Sequence, residues 1–162
     1  MSATAHEKRR SRGIETVLVA VGPGDGDRID RLADEAIAVA GPADATVVLG
    51  HVFAPGEYEA TLRNLNFSPD EEVDLDAVTA RYSPIRSLVG RLSDADVDVE
   101  VRGVVGEDGG DVVDLAEAVS ADMLFVGGRT RSPTGKALFG STAQRVLLSA
   151  PCPVTFVRAD AE

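Results

Sequence analysis

Apolar runs rich in β-branched residues alternate along this chain with segments whose apolar residues recur at helical spacing. That alternation leaves few folds open. Thr16–Val21 (TVLVAV) is apolar at nearly every position, as a strand buried on both faces requires. After a Gly22–Gly26 turn, Ile29, Leu32, Ala33, Ala36, Ile37 and Ala40 mark one face of a helix over Asp27–Ala40, and Gly41-Pro42 predicts its end. Ala45–Phe53 (ATVVLGHVF) is a second buried strand, and residues 54–67, poor in apolar side chains, read as a loop. Ser68-Pro69-Asp70-Glu71 combines a capping serine, a proline at the first helical position and a glutamate at capping-box spacing. A helix is predicted from there to Leu92, kinked or interrupted at Pro84.

Val97–Val104 (VDVEVRGV) alternates, which fits a strand at a sheet edge. Asp111–Ser120 is a short helix, Met123–Val126 a strand, residues 127–139 a polar loop, Ser141–Ser149 a helix and Pro153–Val157 a last strand. The order β-α-β-α-β-α-β-α-β predicts a doubly wound α/β fold, one parallel five-stranded sheet with helices on both faces. At 162 residues one domain suffices. Its expected span is 14–160, and residues 1–13, with Lys8, Arg9, Arg10 and Arg12 but no periodicity, read as a disordered basic tail.

Composition removes several function classes. The 27 acids exceed the 16 bases for a net charge of −11, which opposes nucleic-acid binding. Lys8 and Lys136 are the only lysines; an acidic, lysine-poor surface fits a high-salt cytoplasm such as a halophilic archaeon's, and an ordinary acidic protein of a GC-rich genome is the alternative. No stretch nears the roughly 18 apolar residues of a membrane span. With no secretory h-region and Cys152 as the one cysteine, the expected location is the cytoplasm and no membrane partner is expected.

In an open parallel sheet, ligands bind beyond the carboxyl ends of the strands, where strand order reverses. The loop after the fourth strand is the richer candidate. Gly127 and Gly128 admit a close backbone approach, and Gly140-Ser141-Thr142 opens a helix whose free N–H groups suit phosphate. Arg129, Arg131 and Lys136 place three scarce bases in the same loop. From the residues alone, an anion site and a plain helix cap stand evenly.

The segment VGGRTRSPTGKALFGSTAQRVLLSAPCPVTFVR resembles the C-terminal signature of universal stress proteins, G-x2-G-x9-G-[ST] followed by a helix and an edge strand. VLVAV, LGHV and VVGEDGGDVVDLAEAVSADMLFVGG stand where that family has its counterparts, so the resemblance covers residues 14–158. It implies strand order 3-2-1-4-5, a homodimer through Pro153–Val157, and ATP as ligand with Mg2+ or Mn2+. The implied binding set is Gly22, Val52, Val126, Gly127, Arg129, Thr130, Gly140, Ser141 and Thr142. Two positions depart from the pattern. Thr130 replaces the second signature glycine, and Gly22 stands where ATP-binding members carry an aspartate that contacts the nucleoside. Val52 matches the position whose backbone meets adenine.

Other motifs fall short. TRSPTGKA lacks both the first P-loop glycine and the magnesium-binding hydroxyl, and Gly22-Pro23-Gly24-Asp25-Gly26 misses the dinucleotide spacing. His51, the one histidine outside the tail, lies in a strand and reads as a packing residue rather than a base. The acids Asp70, Glu71, Glu72, Asp74 and Asp76 read as a solvated helix start, and no metal ligands or catalytic residues are assigned. The expected function is a nucleotide-binding stress-response or signalling module. The alternatives are a family member that works through protein partners without nucleotide, and a slow ATPase.

Overall fold

The computed structural model describes residues 13–22, 25–68, 71–106, 109–128 and 141–158, with Asp27, Ser141 and Thr142 described in backbone only. Residues 1–12 of the predicted disordered tail, residues 129–140 and residues 69–70 lie outside the described residues. Strands β1 (Thr16–Ala20), β2 (Thr46–Phe53), β3 (Val99–Val105), β4 (Met123–Gly128) and β5 (Val154–Arg158) form one parallel sheet in the order β3-β2-β1-β4-β5. The fold class and strand order are those expected from the sequence.

Strand period explains the apolar runs. Val17, Val19, Val47, Leu49 and Phe125 face α1 (Ile29–Ala43) and the helix Ser83–Asp94, while Leu18, Val48, Leu124 and Val126 face α5 (Gly109–Ala118) and α6 (Ser141–Ser149). Both faces of the central strands are therefore core. At the amino end of the sheet, Asp122 Oδ2 accepts from the N–H groups of Glu15 and Thr16 at 2.9 and 3.0 Å, tying β1 to β4.

Three local expectations are corrected. The predicted loop 54–67 contains α2 (Pro55–Asn64), started by Pro55 and by Glu57, whose carboxylate accepts the Ala54 N–H at 3.1 Å. No residue of α2 is buried, so apolar periodicity had nothing to report. The interruption expected at Pro84 is there: the predicted helix forms as α3 (Leu75–Arg81) and α4 (Ser83–Asp94), separated by the extended Tyr82. The break puts Pro84 in the first turn of α4, where its missing N–H and its ring cost nothing. At the predicted start, the Ser68 N–H does donate to Glu71 at 3.0 Å, but the helix begins only after Asp74, which caps it.

Gly41-Pro42 does not end α1, which runs to Ala43 and closes with Asp44 in the left-handed region at φ 55. The N–H of Ala45 reaches the Ala40 carbonyl and that of Asp44 the Gly41 carbonyl, a Schellman closure. Asn66, Asp96 and Ser120 close α2, α4 and α5 the same way, each with positive φ.

β3 is a sheet edge, as expected, and α3 covers its outer side. Asp76 Oδ1 accepts the Gly103 N–H at 2.8 Å, and the missing Gly103 side chain leaves room for Leu75 and Thr79. Among the described residues no helix is long and apolar enough to cross a membrane.

Candidate functional site

Successive connections place α1, α3 and α4 with the strands on one side of β1, while α5 and α6 serve β4 and β5. Strand order therefore reverses between β1 and β4. Ala20 lies level with Gly50 of β2 and Val126 of β4. Gly22, Val52, Val126 and Gly127 consequently gather at the carboxyl ends of three adjacent strands. The backbone of Ser141 and Thr142 opens α6, while Arg129, Thr130 and Gly140 of the expected set lie outside the described residues.

A buried ion pair sits at this edge. Asp25, 3 % exposed, turns back so that Oδ2 accepts the Gly22 N–H at 2.7 Å, while Oδ1 accepts from Arg28 Nε and an η nitrogen, each at 2.7 Å. The pair packs against Gly127. A Cβ there would collide with Asp25 Oδ1 and stand 2.9 Å from Arg28 Nε. The first signature glycine thus makes room for an internal Asp25–Arg28 clasp. Gly22 has no carboxylate of its own, and Asp25, three residues on, has both oxygens engaged within the protein.

A second polar cluster adjoins it. His51 is buried; its Nδ1 lies 2.5 Å from the Val21 carbonyl oxygen and its Nε2 2.9 Å from Glu57 Oε2. Tyr82 stacks on the imidazole at 4.4 Å between centroids, and Phe53 meets it edge-on, also at 4.4 Å. The Tyr82 hydroxyl is pushed above its usual pKa, mainly by burial, then by the charge of Glu57 and a hydrogen bond to it, and last by the charge of Asp25. With both ring nitrogens in contact with Val21 and Glu57, His51 organises the strand ends.

The acids early in the third crossover act locally. Glu71 bonds the Ser68 N–H, Asp74 caps α3 and Asp76 bonds Gly103. Among the described residues no group of three histidine, cysteine or acidic side chains could hold a metal ion. Sequence reasoning missed Asp25, Arg28, Glu57 and Tyr82. The spacing Asp25-x-x-Arg28 and the Pro55–Glu57 helix start were the signals available.

A model described as the universal stress protein family matches residues 13–158. A universal stress protein of Mycolicibacterium smegmatis is 38% identical over 85 residues, 52% of this chain, and the match spans 65% of that relative's length. The structure of a universal stress protein from Archaeoglobus fulgidus superposes with a TM-score of 0.67 at 28% identity, over 88% of this chain and 98% of that one. A universal stress protein in complex with cAMP superposes with a TM-score of 0.63 at 25% identity, over 91% of this chain and 98% of that one.

Proposed function

The chain belongs to the universal stress protein family, and from that premise we propose that it binds an adenine nucleotide at the carboxyl edge of β1, β2 and β4. The observation that carries the reading is the gathering of Gly22, Val52 and Gly127 at the strand reversal, beside the loop that leads from β4 into α6. The free N–H groups at the start of α6 suit a phosphate. The cAMP-bound relative supports an adenine ligand. The ligand we assign is ATP with Mg2+ or Mn2+. Arg129, Thr130, Gly140, Ser141 and Thr142 belong to the phosphate side of the proposed site, and Gly22, Val52, Val126 and Gly127 to the nucleoside side.

The protein would act as a stress-response or signalling module in the cytoplasm. We further propose a homodimer. Among the described residues β5 pairs only with β4, which leaves its other edge open, and Leu148 on the neighbouring α6 is 78% exposed.

Mass spectrometry of the purified protein for co-isolated nucleotide, and melting with millimolar ATP–Mg2+ or cAMP at high salt, test the ligand. Saturation at a hundredfold over Kd stabilises by about 2.7 kcal/mol, or a rise of roughly 5–10 °C. No carried nucleotide and no shift with either ligand overturns the reading. A shift retained in the Ser141→Ala, Thr142→Ala double variant removes the side chains at the start of α6 from the site. A monomer in sedimentation velocity at micromolar concentration rejects the dimer.

A further inference from the structure

We propose that Glu57 is a latch that holds α2 at the ligand end of the sheet, with His51 as its buried catch, and that the two are positioning residues for ligand binding. The latch itself follows from the geometry of the free protein. Its effect on a ligand rests on the nucleotide reading above.

The helix needs such a device. Among the described residues each of the other five α-helices buries at least two side chains, whereas α2 buries none. Its apolar attachment includes a tilted ring contact, Tyr58 on Phe53 at 5.5 Å. With so little area removed from water, the hydrophobic contribution is small. Yet α2 begins two residues after Phe53 ends β2, so it stands beside Val52 and the proposed adenine position.

Glu57 supplies what packing does not. Its carboxylate meets two partners in separate parts of the chain, the Ala54 N–H ahead of α2 and His51 Nε2 in β2, and its charge helps raise the pKa of Tyr82 between α3 and α4. The Glu57 side chain is 27% exposed and that of His51 is fully buried, so one end of the contact is out of water. The Val21 carbonyl can only accept, which assigns a proton to His51 Nδ1. His51 Nε2 then faces the Glu57 carboxylate at 2.9 Å, so the second ring nitrogen is the one that meets α2.

The catch also reaches the ligand side. Val21, held by His51 Nδ1, precedes Gly22, whose N–H is fixed by Asp25. Opening the latch would release α2 and leave His51 Nε2 without its partner, one contact away from the turn after β1.

Hydrogen exchange read by mass spectrometry tests this on the full chain. In Glu57→Ala, exchange over residues 55–64 should rise at least about tenfold, while β1 and β2 stay unchanged. Glu57→Gln, which keeps length and an acceptor but not the charge, should fall between the two. Unchanged exchange in α2 overturns the latch, and so does an equal rise in the central strands, which would make Glu57 a general support. ATP–Mg2+ and cAMP should leave Glu57→Ala at least about fivefold faster than wild type, with association no slower. An unchanged dissociation rate overturns the positioning role. Absence of binding by wild type removes that role together with the nucleotide reading, and the exchange pattern still decides the latch.

Discussion

Gly127→Ala separates two explanations for the first signature glycine. Within a strand, alanine ordinarily gains about 0.5–1 kcal/mol over glycine. Here the added methyl would run into Asp25 Oδ1 and come 2.9 Å from both Asp25 Cγ and Arg28 Nε. Neither partner moves away cheaply. Asp25 is fixed by Gly22 on one oxygen and Arg28 on the other, and the two side chains are only 5% and 10% exposed. Overpacking costs about 1–3 kcal/mol, and a displaced buried ion pair adds to it, so a loss of about 2–3 kcal/mol is expected. For a domain of this size that lowers the melting temperature by roughly 4–12 °C. Urea unfolding followed by circular dichroism suits a chain without tryptophan. The deciding comparison repeats Gly127→Ala in an Asp25→Ala, Arg28→Ala background, where these closest contacts are gone and the methyl should cost nothing or stabilise slightly. A coupling of about 2–3 kcal/mol is expected from such contacting groups. An equal loss in both backgrounds would refute the clasp as the reason for the glycine.

Gly90→Ala in α4, where a Cβ meets nothing within 4 Å, should stabilise by about 0.5–1 kcal/mol. Gly103→Ala, which would press on Thr79 and on the backbone of Leu75, should cost about 1–3 kcal/mol, both read by urea unfolding. Ser120→Gly relieves a left-handed residue at φ 55 and should raise stability by about 0.5–1 kcal/mol, seen as a higher melting temperature. Tyr82 keeps its proton in the folded state to a higher pH than the usual 10.0, because of burial and the charges of Glu57 and Asp25, with His51 stacked beside it. Its contribution is therefore full below about pH 10 and lost as pH rises through the folded value, so wild type should lose stability more steeply than Tyr82→Phe in unfolding curves from about pH 8 to 11.

Legibility followed burial. The central strands could be read because both their faces are core, so Val17 to Val19 and Val47 to Leu49 leave no polar gap. The helix α2 could not, since a helix that buries nothing leaves no periodic trace. Helix ends were misread at Gly41 because closure falls to Asp44, Asn66, Asp96 and Ser120, residues that tolerate or are driven into the left-handed region without announcing it. The 68–71 motif formed its local bond, yet a cap bond alone does not nucleate a helix where Glu71, Glu72 and Asp74 stay exposed. At the carboxyl edge, the strand pattern put Gly22 just after β1 and Gly127 near the end of β4, whereas Val52, near the end of β2, was singled out by the family resemblance. The cluster of His51, Glu57 and Tyr82 was not, because it joins residues from β2, α2 and the α3–α4 break that only the tertiary fold brings together.

The polar side chains at the carboxyl edge serve the fold before they serve a ligand. Asp25 commits both oxygens to Gly22 and Arg28, and His51 commits both nitrogens to Val21 and Glu57. On the proposed reading, a nucleoside at this edge meets chiefly backbone around Gly22, Val52 and Val126–Gly127 instead of an unengaged acid. A site discriminates strongly for a hydroxyl only when losing that hydroxyl strands a buried partner. Asp25 is already satisfied inside the protein, so a missing sugar hydroxyl strands nothing there. Recognition then falls to the shape of the base and to the phosphate at the start of α6. In a chain of net charge −11, that end of the ligand must be held by aimed N–H groups and nearby bases, because the overall field repels it.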